Sequence, residues 1–143
     1  MDRFKQITSI YLILIRDNKI LLLKRQNTGY EDGKYGLPAG HLEDNETIRN
    51  GLKREIKEEI GIDINVDNLK LVHTMHRKEE DTRVDFFFEV SKYEGTPLNN
   101  EPEKCSDLSW FPLNKLPSNI IPYIKTAIEN SRNGIIYSEV GWH

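Results

Sequence analysis

The stretch LKREIKEEIG, residues 52–61, crowds acidic and basic side chains together and sets Glu58 beside Glu59 just before Gly61. An α-helix advances about 100° per residue, so Glu55, Glu58 and Glu59 fall within an arc of roughly 100° and can be aimed at one point. Carboxylates at that spacing repel one another and raise each other's pKa, a cost that a shared cation removes. Hard oxygen ligands suit Mg2+ or Mn2+, and Mg2+ commonly bridges protein carboxylates to substrate phosphates. Taken alone, the same stretch also fits a solvated helical face laced with ion pairs, which is the commoner use of such a run.

The elements around these residues can be read from the spacing of apolar positions. In HLEDNETIRNGLKREIKEEIGI, residues 41–62, Ile48, Leu52, Ile56 and Ile60 recur every fourth residue and predict an amphipathic helix. Asp44, Asn45 and Thr47 are the available N-caps, and Gly61 suits the left-handed residue that ends a helix. Gly51 costs about 1 kcal/mol relative to alanine inside a helix, so its presence implies a contact that admits only a small residue. Upstream, IYLILI (10–15) and ILLLKR (20–25) flank the polar RDNK and predict a hairpin. Their near-continuous apolar character implies a sheet covered on both faces.

Residues 26–36, QNTGYEDGKYG, hold three glycines and predict a loop, followed by the extended LPAG, in which Pro38 keeps Leu37 out of helical geometry. LKLVHTMHR (69–77) and VDFFFEV (84–90) read as strands around a charged turn, and LSWF (108–111) as another after a polar loop. Ile120, Ile121, Ile124 and Ile128 predict a last helix with Pro122 in its first turn. No repeat or linker interrupts the chain. The expectation is therefore one α/β domain over residues 1–143, a mixed sheet with helices on either side.

Composition narrows the partners. With 20 basic and 23 acidic residues the net charge is −3, which predicts no polyanion-binding surface, so long RNA or DNA is not an expected partner while a small phosphorylated ligand is. The single cysteine, Cys105, rules out an intrachain disulfide and fits a reducing compartment. The start, MDRFKQITSI, has no secretory pattern, and the apolar run Ile10–Ile15 is too short to span a bilayer. A cytoplasmic protein with no membrane partner, a monomer or homodimer, is expected. His41, His73, His76 and His143 lack zinc-ligand spacing, and no Ser-His-Asp pattern is apparent.

From Gly40 to Ile62 the chain resembles the Nudix box, Gly-x5-Glu-x7-Arg-Glu-U-x-Glu-Glu-x-Gly-U with U apolar, at every specified position: Gly40, Glu46, Arg54, Glu55, Ile56, Glu58, Glu59, Gly61 and Ile62. Seven fixed identities coincide by chance about once in 10⁸ starting positions. The resemblance implies an α/β/α sandwich with a mixed central β-sheet and a loop–helix–loop. It also implies divalent-metal-dependent hydrolysis of a nucleoside diphosphate linked to another moiety. A MutT-like nucleoside triphosphate pyrophosphohydrolase, releasing the monophosphate and pyrophosphate, is the leading expectation. ADP-ribose or a nucleotide sugar is the alternative. A non-catalytic nucleotide sensor stands behind both, because every box glutamate is present.

By the same resemblance Glu55, Glu58 and Glu59 hold Mg2+ (or Mn2+), joined by the carbonyl of Ala39. Arg54 orients a box glutamate, Glu46 supports the loop, and Gly40 and Gly61 permit tight turns at the two ends of the helix. Glu101, or Glu103, stands where some members place an additional acid. Arg25 resembles a phosphate-contacting position, with Arg77 and Arg83 as further candidates, and Asn119 lies near where some relatives read a base edge. Tyr30, Tyr35 and Phe87 are the aromatic residues considered for stacking on a base.

Overall fold

The apolar run Ile10–Ile15 serves two sheets rather than one hairpin. The computed structural model describes residues 2–143. In chain order the elements are β1 (Ile7–Ile13), β2 (Ile15–Arg16), β3 (Lys19–Arg25), β4 (Tyr35–Gly36), β5 (Ala39–His41), α1 (Ile48–Ile60), β6 (Leu69–Lys78), β7 (Thr82–Val90), β8 (Cys105–Pro112), α2 (Pro122–Arg132) and β9 (Tyr137–Val140). Both edges of β1 are taken, by β7 in parallel and by β5 antiparallel, so only Ile15 and Arg16 remain to pair with β3. Chain reversal at Asp17 and Asn18 is as expected: both have positive φ, 53° and 60°, the mirror-image turn that matches strand twist.

The larger sheet runs β5-β1-β7-β6-β9 and mixes parallel and antiparallel pairs, while β3 gathers β2, β4 and β8 into a smaller antiparallel sheet. Alternation along β1 divides the core. Ile10, Leu12 and Leu14 pack toward α1 with Leu52, Ile56 and Ile60; Tyr11 and Ile13 pack toward α2 with Ile124, Ala127 and Ile128. The result is the expected α/β/α arrangement. Each buried leucine or isoleucine of the α1 stripe contributes about 1.5–3 kcal/mol, so that stripe, more than helix propensity, holds the carboxylate-bearing helix in place. Its ends are set locally. The Thr47 side chain accepts the Asn50 amide at 3.1 Å, and Gly61 adopts φ 74°.

Three expectations are corrected by packing. Arg77 is buried rather than free to meet phosphate: its Nε donates to Asp85 Oδ2 at 2.7 Å and its guanidinium lies 3.8 Å from the centre of the Tyr123 ring. Phe87, fully buried, stacks on Tyr11 at 4.5 Å between centroids, and Tyr35 packs edge-on against Phe111, so neither is free to stack on a base. Strand β9 was not anticipated; it adds to the sheet edge in parallel with β6.

Removing one partner of a buried ion pair strands the other charge. Asp85→Ala is therefore expected to cost roughly 3 kcal/mol, measured by urea denaturation.

Candidate active site

A cavity of about 650 Å³ opens between β1, the end of β3, the β4–β5 segment, the outer face of α1 and the loop before β8. It brings together Arg25, Gly40, Arg54, Glu55, Glu58, Glu59 and Glu101, together with the backbone of Ala39. Because the Ile48–Leu52–Ile56–Ile60 stripe is turned into the core, the glutamates between those positions are delivered to the helix flank that faces β5.

Strand β5 supports two of them. Glu59 Oε2 accepts the backbone N–H of Ala39 at 3.0 Å. The Glu55 carboxyl lies directly over Gly40, where an added Cβ would come within 2.1 Å of its carboxyl carbon. Gly40 is therefore required for close approach, not for a turn: it sits in β5 and is not among the glycines with positive φ. Gly51 has a related reason, since a Cβ there would stand 2.8 Å from Glu46 Oε1 and 3.1 Å from Leu42.

Arg54 ties the loop to the helix. Its Nε and Nη2 donate to the two oxygens of Glu46 at 3.1 and 2.9 Å, a fork-to-fork pair, while Nη1 donates to Glu55 at 2.9 Å and reaches Glu58 at 3.4 Å. Glu46 also accepts the Glu43 amide at 2.8 Å, but does not line the cavity. Arg54 hydrogen bonds, with help from that amide, hold the Glu46 carboxyl down at about 2. Glu46 is thus a brace for Arg54 and the loop.

Electrostatics separates the remaining glutamates. Burial raises the Glu55 carboxyl above its usual value despite Arg54, and lifts Glu59 to about 8, with the charges of Glu55 and Glu101 adding to the effect. No salt bridge reaches Glu59 among the described residues. Glu58 is the most exposed of the three. As they stand, no three His, Cys, Asp or Glu side chains among the described residues converge closely enough to hold a metal; the Arg54 guanidinium occupies the space between Glu46, Glu55 and Glu58 and neutralises them. The donor set nevertheless fits a hard cation. Two partly buried carboxyls with raised pKa are oxygen ligands for such an ion, and one of them, Glu59, has no ion-pair partner among the described residues to compensate its ionised form.

The raised Glu59 pKa has a consequence for stability. Its neutral form is favoured by the fold, so the associated stability is fully present below about 4.5 and is lost as pH rises through about 8. In EDTA the thermal midpoint is expected to fall between about pH 5 and pH 8, and Glu59→Gln to flatten that fall in scanning calorimetry.

The NUDIX domain family model matches residues 5–130 of the chain. This protein belongs to the Nudix family. Over 105 residues, 73% of the chain, it is 33% identical to an ADP-ribose pyrophosphatase of Methanocaldococcus jannaschii. It is 32% identical over 115 residues, 80% of the chain, to an NAD-capped RNA hydrolase, NudC, of Vibrio atlanticus. A shorter match, 38% over 64 residues and 45% of the chain, is to an 8-oxo-dGTP diphosphatase of Proteus vulgaris. These alignments span 61%, 40% and 57% of the three relatives, so the chain matches only part of each. Its fold matches the crystal structure of a MutT NUDIX hydrolase from Burkholderia pseudomallei with a TM-score of 0.81 and 27% identity, covering 88% of this chain and 98% of that one. Among the described residues no helix is long and apolar enough to cross a membrane.

Within this Nudix cavity several residues were not anticipated. Ser9 is buried, its Oγ has no hydrogen-bond partner among the described residues, and it lines the cavity and pairs in register with Asp85 and His41 on neighbouring strands. Tyr11, Tyr123, His41 and Lys104 line it too. A serine between Thr8 and Ile10 in a strand carries no sequence signal of its own; only the pairing of β1, β5 and β7 gives it neighbours. Of the anticipated arginines, Arg25 and Arg83 line the cavity near Tyr30, with guanidinium carbons 5.5 and 6.0 Å from its ring centre. Asn119 does not line it. Its side chain donates to the Gly33 carbonyl at 3.0 Å and secures the loop beside β4.

Proposed function

We propose that the protein is a divalent-metal-dependent pyrophosphohydrolase that cleaves a nucleoside triphosphate to the monophosphate and pyrophosphate. The observation that carries this reading is the meeting, in one cavity, of Glu55, Glu58, Glu59 and Glu101 with Arg25, Arg83 and Lys104. Acidic groups that suit a cation stand beside cationic groups that suit the outer oxygens of a phosphate chain. Glu55, Glu58 and Glu59, with the Ala39 backbone, are the groups that would hold Mg2+ or Mn2+. When bound, such an ion neutralises diphosphate charge and acidifies water.

The chain's own residues supply the remaining work. Arg54 and Gly40 fix the Glu55 carboxyl. Arg25 is itself held by a 2.8 Å hydrogen bond from Nε to the Tyr30 carbonyl, and its two Nη groups have no hydrogen-bond partner among the described residues and are left for phosphate. Glu101 is the proton acceptor for the attacking water: it lines the cavity close enough for its charge to raise both Glu55 and Glu59, and its carboxylate has no ion pair or hydrogen bond among the described residues.

A second reading, ADP-ribose as substrate, is favoured by the relative from Methanocaldococcus jannaschii and by Ser9, which lines the cavity with an Oγ that has no hydrogen-bond partner among the described residues and suits a sugar oxygen. Incubating the protein with Mg2+ and a panel of nucleoside and deoxynucleoside triphosphates beside ADP-ribose, with products resolved chromatographically, separates the two. Monophosphate plus pyrophosphate from a triphosphate is the expected outcome, abolished by EDTA. Turnover confined to ADP-ribose would move the assignment to the second reading, and no turnover of any member would end both.

A further inference from the structure

We infer that Asn99 is a positioning residue for Glu101, and that its side-chain amide, together with Gln26, locks the acid-bearing loop to the arginine-bearing end of β3. The inference rests on the reading of Glu101 as proton acceptor given above.

The chemistry asks for a loop carboxylate held at a fixed place, yet Glu101 lies in an irregular segment between Asn99 and the start of β8. The segment is held in three ways. Asn99 Oδ1 accepts the backbone N–H of Glu101 at 3.1 Å while its Nδ2 donates to the Cys105 carbonyl at 2.7 Å, so a single planar amide spans the loop. The Glu101 carbonyl accepts from the amides of Lys104 and Cys105, both at 2.9 Å, closing a tight turn behind the acid. From the other side, Gln26 donates through Nε2 to the Pro102 carbonyl at 2.7 Å and through its backbone N–H to the Lys104 carbonyl at 3.0 Å, and Asn27 Nδ2 donates to the Glu103 carbonyl at 3.1 Å.

The two segments meet where the β3–β8 ladder slips: a register shift falls between Lys24 and Arg25, and Arg25 pairs with Cys105. Such irregularities bend a strand and re-aim its side chains. Arg25, the candidate phosphate contact, and Glu101, the candidate acceptor, therefore share one hydrogen-bonded scaffold. Asn99 also lines the cavity, and each polar atom of its amide meets a group of the matching kind, an acceptor facing N–H and a donor facing C=O. A carboxylate misplaced by about 1 Å can lose 10²-fold in rate.

The test is a double-mutant cycle of Asn99→Ala and Glu101→Gln, read as kcat and KM with Mg2+ on dGTP or ADP-ribose, whichever turns over faster, alongside amide hydrogen exchange. Asn99→Ala should lower kcat about 10- to 50-fold with KM changed less than twofold. It should also speed exchange at the amides of Glu101 and Cys105. The double variant should be no slower than Glu101→Gln alone, because an acceptor already removed cannot be mispositioned. Should Asn99→Ala fail to fold, Asn99→Asp, which keeps the acceptor for the Glu101 amide and loses the donor to Cys105, runs the same cycle. Multiplicative losses in the double variant, or an Asn99 variant with unchanged kcat beside a slow Glu101→Gln, would overturn the positioning role while leaving Glu101 as acceptor. A Glu101→Gln protein with parental kcat would remove the acceptor itself, and this inference with it.

Discussion

Glu55→Gln is expected to lower kcat on the order of 10³-fold while leaving the fold intact. Glutamine keeps an oxygen for the 2.9 Å hydrogen bond from Arg54 and nearly the same volume over Gly40, so the lattice around the side chain survives. What is lost is the charge at the centre of the cavity. Interactions with charge that develops in the reacting state are commonly worth 10²–10³ in rate, about 2.7–4 kcal/mol, when one group is removed. Glu58→Gln should follow in the same direction with a smaller loss, because Glu58 is more exposed and its contact with Arg54 is longer. Steady-state kinetics with Mg2+, beside a thermal melt of each variant, check both. A Glu55→Gln protein with parental kcat would separate the cavity from the chemistry.

Gly40→Ala is expected to produce a smaller but still large loss with no change of charge. The added Cβ would lie 2.1 Å from the Glu55 carboxyl carbon and 2.3 Å from its Cγ, so Glu55 must move. The clashing atoms are the far end of a flexible side chain, not backbone, and the fold can absorb the change by swinging that side chain aside. Activity and stability should therefore part company: kcat/KM falls about 10²-fold while the melting midpoint shifts by only a few degrees. Restoring activity without reverting Gly40, for example by raising Mg2+ concentration, would indicate that Glu55 had been displaced rather than the strand deformed. A midpoint that collapsed would instead place the clash in the backbone.

Much of this molecule is legible in its sequence, and the reasons differ by element. Helix α1 was readable because its signals are local: a four-residue apolar recurrence, a threonine cap and a glycine in the left-handed region all act within a few residues of themselves. The box glutamates were readable for the same reason, since neighbours on one helical arc need no tertiary information to be neighbours. Gly51 was readable in part: its cost in a helix announced a tight contact, but Glu46 and Leu42 as the partners came only from the folded loop.

Long-range pairing was not legible. Nothing in IYLILI says that its first part fills a slot between β5 and β7 and that only Ile15 and Arg16 turn toward β3, because strand partners are chosen by edges the rest of the chain leaves open. Arg77 and Arg83 look alike in sequence and oppose each other in register, yet one is buried against Asp85 and the other lines the cavity; which side chain the core encloses depends on Tyr11 and Tyr123, distant along the chain. Asn119 and Asn99 exchange importance for a similar reason, one turned to the Gly33 carbonyl and the other clasping the loop that carries Glu101.

By itself, then, the amino-acid order determined which residues share a helical face and hence that a group of carboxylates exists to be used. Tertiary structure decided what those carboxylates meet: the Ala39 amide at Glu59, the bare backbone of Gly40 under Glu55, the Arg54 fork among Glu43, Glu46, Glu55 and Glu58, and the cationic wall beside them. Periodicity is a property of neighbours in sequence, whereas a cavity is made by segments that only the packing of two sheets and two helices brings together.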